Sequence, residues 1–336
     1  MEDYIKDYTN VNMEKKIKIL DPTIREAGYL NGFKFSIEEV KSFIDISKRI
    51  GTDIIEIGHG LGPGNELPLH SHEEYVYEAK QHDESTSISI FGLAGLCKKT
   101  HLQSIIKSGL DVFRVGFVGF ENTPFPFREA LPLLEEAKKQ GLFTCLNVLD
   151  TYRIKDKELI EVCNTVAELS PDVIYIVDSS GALTDKEIGK KIEILSEHSD
   201  SEIGYHGHDN LRLATYNSVY GAREGCTYLD ATFMGMGRGA GNANLEVLIA
   251  LLERYGMREA DFVKLYEASK KVANLFNKDT EILEHATLGY YGVMDYIGDK
   301  LDKSDNRAYV EILSKLDKLD TPFIPEEEIK LCHENI

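Results

Sequence analysis

The stretch Glu202-Ile203-Gly204-Tyr205-His206-Gly207-His208-Asp209-Asn210 reads as a short strand ending in two histidines. Side chains alternate along a strand, so His206 and His208 point to the same side. Two imidazoles placed together at a strand end can bind one divalent metal. The same pair can equally be solvated or hydrogen-bonded and bind nothing. A helix over about 211–224 follows, and Tyr228-Leu229-Asp230-Ala231-Thr232-Phe233 opens the next strand. The pattern is one strand–helix unit.

Working outward, the unit recurs. Strands are expected at 17–23, 53–60, 87–93, 112–117, 143–150, 173–179, 202–208 and 228–233. Helices are expected between them at about 37–50, 71–82, 100–108, 127–140, 156–169, 184–198 and 211–224. The first long helix carries Val40, Phe43, Ile44, Ile46 and Ile50 at helical spacing. Ser36 and Glu39 form a capping-box pair at its start, and Gly51 follows its end. Short strands rich in Ile and Val suit a parallel sheet buried on both faces. Eight such units indicate a closed (β/α)8 TIM barrel. An open doubly wound sheet is the alternative, but the first strand leads into no Gly-rich dinucleotide turn. The expected organisation is an N-terminal arm over 1–14, a barrel over 15–256 and a C-terminal helical appendage over 257–336. Within the barrel, Asn244–Leu252 would open the eighth helix.

Composition narrows the function. The formal net charge of −19 disfavours nucleic acid and anionic membranes as partners. No apolar run is long enough for a transmembrane helix, and the charged N-terminus lacks a signal-peptide core. Cys97, Cys145, Cys163, Cys226 and Cys332 are dispersed and odd in number, as in a reduced cytoplasmic protein.

In a barrel of this kind, chemistry sits at the C-terminal ends of the strands. The polar residues of this chain fall there: Arg25 and Glu26, Glu56 and His59, Asn147, Asp178, His206 and His208. Closure brings the first strand beside the seventh and eighth. Glu26 can then supply an oxygen to a metal held by His206 and His208, with open positions left for substrate. Asp21 is a second candidate carboxylate, or a residue that hydrogen-bonds loop amides. Arg25 has the forked donors that match an enolate or carboxylate, or it forms an ordinary salt bridge to Glu56 or Asp21. The loop Gly235-Met236-Gly237-Arg238-Gly239-Ala240-Gly241-Asn242 lets backbone amides approach an anion, or simply makes tight turns.

Four stretches together carry a resemblance. They are Asp21-Pro22-Thr23-Ile24-Arg25-Glu26, Ile55-Glu56-Ile57-Gly58-His59-Gly60, Gly204–Asn210, and Gly235–Glu246. Over about residues 15–295 the chain resembles the metal-dependent TIM-barrel lyases and synthases that include hydroxymethylglutaryl-CoA lyase, isopropylmalate synthase and homocitrate synthase. The likeness is greatest to the 4-hydroxy-2-oxovalerate aldolases, which Val177–Leu183 and Thr287–Val293 also resemble. The resemblance implies a divalent metal, Mn²⁺ foremost with Mg²⁺, Co²⁺, Fe²⁺ or Zn²⁺ as alternatives, on Glu26, His206 and His208. It implies that Arg25 stabilises an enolate formed when a carbon–carbon bond breaks, and that a 2-oxo acid chelates the metal. It also implies a 2-oxo acid and an aldehyde as small-molecule partners, an acylating aldehyde dehydrogenase as protein partner, and a homo-oligomer.

The chain departs from that pattern at three positions. The aldolases usually have Asp where Glu26 stands, as homocitrate synthase-like members do not. A catalytic His is Tyr29 here, and a Tyr is Met294. The catalytic candidates are Arg25 and Glu56, with Tyr29, His59, Tyr290 and Tyr291 as candidates for the replacement acid or base. The first expectation is an aldolase acting on a 4-hydroxy-2-oxo acid. The alternatives are a Claisen-type synthase using acetyl-CoA, and a partner-binding pseudoenzyme.

Overall fold

The structure, a computed structural model, describes residues 16–120, 123–278, 281–293 and 295–319. The expected arm at 1–14, Met294, Cys332 and the end of the C-terminal region lie outside these residues. The chain divides into two compact units, Met1–Leu245 and Glu246–Ile336.

The first unit is a closed barrel of eight parallel strands in sequence order. They are β1 (Lys18–Asp21), β2 (Ile54–Ile57), β3 (Ile88–Leu93), β4 (Val112–Phe117), β5 (Phe143–Val148), β6 (Val173–Asp178), β7 (Glu202–Gly207) and β8 (Tyr228–Asp230). Closure is made by β1 against β8, with Ile19 opposite Leu229 and Leu20 opposite Asp230. Leu20, Ile54, Val112, Cys145, Val173 and Tyr175 share one buried cluster inside it. Each aliphatic side chain so buried contributes about 1.5–3 kcal/mol.

The intervening helices are α1 (Thr23–Asn31), α2 (Ile37–Arg49), α3 (His72–His82), α4 (Lys99–Lys107), α5 (Phe127–Lys139), α6 (Asp156–Val166), α7 (Asp185–His198) and α8 (Ala214–Glu224). In α2 the Ser36 hydroxyl accepts from the Glu39 amide at 3.2 Å, and the Glu39 carboxylate accepts from the Ser36 amide at 2.7 Å. Val40, Phe43, Ile44 and Ile46 form its buried face, as their spacing requires.

One element differs from expectation. The residues after Asp21 do not extend the strand but turn at once into α1. Pro22 suits a helix start, and Ile24, Arg25, Glu26 and Ala27 keep low-cost helical rotamers. Gly32, left-handed at φ 67°, ends the helix. The consequence is positional: Arg25 and Tyr29, four apart, share one face of α1.

The second unit is helical: α9 (Leu245–Arg254), α10 (Phe262–Phe276), α11 (Glu281–Tyr291), α12 (Asp295–Gly298) and α13 (Asn306–Asp317). Here α10 and α11 both pack on α13, and Tyr266 meets Tyr309 at 5.5 Å between ring centroids. Among the described residues no helix is long and apolar enough to cross a membrane. Cys97, Cys145, Cys163 and Cys226 are buried free thiols.

Candidate active site

The C-terminal ends of the strands surround a cavity of about 410 Å³. Arg25, Glu26 and Tyr29 from α1, His206 and His208 from β7 and its end, and Arg238 of the Gly-rich loop line one side. Phe91, Leu93, Val118, Phe125, Leu149 and Val177 line the side formed by β3 to β6.

The charged side is held by a ring of ion pairs that is almost entirely buried. Arg25 donates from NH1 to Glu26 Oε1 at 2.8 Å and from Nε to Glu56 Oε1 at 2.5 Å. Glu56 also accepts from Arg114 at 3.2 Å and from the Ser89 hydroxyl at 3.1 Å. Arg114 continues to Asp230 Oδ2 at 2.6 Å, and the same oxygen meets His206 Nδ1 at 2.8 Å. The ring then returns to its start across a 4.0 Å gap between His206 Nε2 and Glu26 Oε1. Arg114, fully buried, also lies over the Tyr175 ring at 4.3 Å.

Each partner has a physical consequence. Buried charges survive only when paired, which is why Arg114 stands between two carboxylates. The Asp230 carboxylate accepts a hydrogen bond from His206 Nδ1, which fixes the ring with Nε2 toward the gap. Burial alone would raise the Glu26 pKa, but Arg25, His206 and His208 outweigh it and hold the carboxyl below its usual range. Burial, with His206 beside it, pushes His208 down to about 4, so its ring is neutral at pH 7. Neutral imidazole and ionised carboxylate are the metal-binding forms.

A divalent ion fits this set of donors. Glu26 Oε2 is buried with no hydrogen-bond partner. Two metal–ligand bonds of ~2.1 Å span a gap of about 4 Å. The ring carries three carboxylates against two guanidinium groups, an excess negative charge that a cation offsets. Among the described residues no trio of His, Cys, Asp or Glu is already drawn tightly around one point. The Gly-rich loop closes this corner. Asp209 N donates to Gly241 O at 3.0 Å, tying the loop to the end of β7. A Cβ on Gly237 would stand 2.2 Å from Asn242 Nδ2, so a larger residue there would displace the Asn242 amide beside Glu26 Oε2.

The remaining candidates are distributed as follows. Tyr29 is on the cavity wall, its hydroxyl packed against Gly60; burial raises its pKa while Arg25 opposes the rise. His59 accepts from the Leu61 amide at Nδ1 (2.9 Å) and stacks on Phe33 at 4.0 Å, away from the lining. Its pKa is lowered by burial. Glu56 lies beneath the wall, with every contact spent on the ring and Ser89. Tyr290 and Tyr291 belong to α11 in the second unit, where both rings pack on Phe262. Asp21 accepts from the Thr23 amide at 2.9 Å and the Ser47 hydroxyl at 2.6 Å, anchoring the start of α1 rather than facing the cavity. Asp178 accepts from the amides of Ala182 and Leu183 and shapes the turn after β6.

Arg114 and Asp230 escaped the sequence reading. Their signal was there: a charged residue within an apolar strand buried on both faces requires a partner.

The fold defines a (β/α)8 barrel. Residues 126–272 match the HMGL-like family. The chain is 28% identical over 292 residues to 4-hydroxy-2-oxovalerate aldolase 2 of Rhodococcus opacus (strain B4), covering 84% of this chain and 83% of that protein. It is 27% identical over 259 residues to an oxaloacetate decarboxylase of Mycobacterium tuberculosis, covering 75% of each. The HMG-CoA lyase structure from Bacillus subtilis superposes with a TM-score of 0.68 at 19% identity, over 79% of this chain and 95% of that one, which shows the shared fold. The chain is an enzyme, an aldolase or lyase at family level, and HMGL-like aldolases and lyases in general depend on a divalent metal.

Proposed function

We propose that the chain is a divalent-metal-dependent aldolase that cleaves a 4-hydroxy-2-oxo acid into a pyruvate-type enolate and an aldehyde. The observation that carries this reading is the placement of Arg25. Its guanidinium is fixed by Glu26 and Glu56 at the cavity wall, which His206 and His208 also line. Glu26, His206 and His208 would hold the metal, which supplies Lewis-acid polarisation of a carbonyl when bound.

The chain's own groups then have separable tasks. Arg25 is preorganised to stabilise negative charge on an enolate oxygen, without reorganisation at the moment of reaction. Glu56 and Arg114 position Arg25, and Asp230 positions His206. Tyr29 is the proton-handling candidate on the wall, its hydroxyl beside Gly60. The apolar side accepts the carbon chain of the aldehyde and excludes water. The relatives' names favour the same chemistry: an aldolase of a 4-hydroxy-2-oxo acid and a decarboxylase of oxaloacetate both cleave a bond that leaves a three-carbon enolate. Glu26, where the aldolases usually have Asp, keeps a Claisen-type synthase as the second reading.

Deuterium uptake into the methyl group of pyruvate in D₂O, read by mass spectrometry, tests the proposal. Exchange should require Mn²⁺ or Mg²⁺ and should vanish in Glu26→Gln. Absence of exchange in the metal-loaded wild type would turn attention to thiol release from acetyl-CoA with a panel of 2-oxo acids.

A further inference from the structure

Of the polar groups that line the cavity, Arg25, Glu26 and His206 are committed to the ion-pair ring, and Asp150, Ser179 and Ser180 hydrogen-bond among themselves. Asn147 does neither. It sits near the end of β5, opposite Gly116 on β4 and Tyr175 on β6. It alternates with Cys145, which belongs to the core cluster inside the barrel, so its side chain faces the interior too. Asn147 is 2% exposed, lines the cavity, and its Oδ1 has no hydrogen-bond partner among the described residues. Its strand neighbour Gly116 offers no side chain, Tyr175 on the other side lies under the Arg114 guanidinium and its hydroxyl does not bond to Asn147, and Leu149 and Val177 are apolar. A buried carbonyl left unpaired costs about 1–3 kcal/mol. Such a group at a cavity floor is explained by a ligand that completes it.

We infer that Asn147 recognises a hydroxyl on the bound substrate, beyond the 2-oxo acid head. A carboxamide presents an acceptor at Oδ1 and a donor at Nδ2, and a half-turn about its last bond exchanges them. A hydroxyl both donates and accepts, so it pairs with either face. A carboxylate pairs with one face only, and its charge is already matched on the opposite wall by Arg25 and Arg238. The inference rests on the proposed reading of the cavity as a 2-oxo acid site, and it makes Asn147 a specificity-determining residue.

The test uses the metal-loaded full chain and two reactions that differ in the hydroxyl. Pyruvate deuterium exchange needs no substrate hydroxyl; cleavage of 4-hydroxy-2-oxo acids of increasing chain length does. In Asn147→Leu, kcat/KM for cleavage should fall about 10- to 100-fold, while pyruvate exchange stays within about threefold of wild type and so reports an intact fold and metal site. Asn147→Thr, which returns a donor and acceptor to the floor as a hydroxyl, should recover part of the loss. The inference is overturned if the two reactions fall together, if neither changes, or if the wild type exchanges pyruvate yet cleaves no hydroxy acid. A wild type that fails to exchange pyruvate at all refutes the underlying reading instead.

Discussion

On one side of the cavity, Arg25, Glu26 and His206 are held by ion pairs that run through four strands and a helix, with His208 beside them. On the other, Phe91, Leu93, Val118, Phe125, Leu149 and Val177 present carbon, positioned by packing, and Phe91 alone of them lies under the Arg25 guanidinium at 5.1 Å. The charged wall is a single cooperative object: moving one guanidinium exposes two carboxylates to a dry interior. The apolar wall is a set of nearly independent contacts, and each can change without disturbing the next. The difference suggests a division of labour, with one wall fixed for chemistry and the other adjustable for the shape of the substrate.

The comparison breaks most severely at Arg114. Arg114→Met retains most of the volume but leaves Glu56 with Arg25 alone and Asp230 with no guanidinium, only His206. Denaturant unfolding at pH 7 should show a loss of about 3–5 kcal/mol. Adding Asp230→Asn should return part of that loss, because the two changes share one network. A loss below about 1 kcal/mol in the single variant would mean the ring contributes little.

A second break is pH-dependent and lies at the foot of the charged wall. Burial raises Asp21 from the ordinary 3.8 to about 6, against the opposing hydrogen bonds from Ser47 and Thr23. The folded state therefore binds this proton more tightly than the unfolded chain does. The stability it confers is complete below about pH 4 and is lost as pH rises through about 6. Asp21→Asn keeps an acceptor but cannot ionise. Relative to wild type, it should gain up to about 3 kcal/mol between pH 4 and pH 8. A stability difference that does not vary with pH would show that Asp21 titrates normally.

The apolar side should respond least. Leu149→Ala enlarges the cavity without touching the ring, so metal-dependent pyruvate exchange should stay within about threefold, ~0.7 kcal/mol. Its effect should appear instead as a changed preference among aldehydes. A large loss of exchange would show that the two walls are coupled.

The barrel was legible because its signals are local. The alternation of strand and helix, the Ser36–Glu39 cap and the His206–His208 spacing can each be seen within a few residues, and the structure bears out the eight-stranded parallel barrel. The helical start of α1 was harder to see, since Asp21–Glu26 carries both strand and helix tendencies until Pro22 and the closing β8 settle it. Arg114 and Asp230 stand 116 residues apart in sequence, and nothing in either neighbourhood names the other. His59 and Asn147 are each one polar residue at a strand end. Only packing decided that the first turns onto Phe33 and the second faces the cavity with an unspent amide. Periodicity and capping are properties of neighbouring residues, so the sequence by itself determined the strands, the helices and the imidazole pair. Which buried charges meet, and which polar group is left over for a ligand, depends on barrel closure, and that is where tertiary structure decided the site.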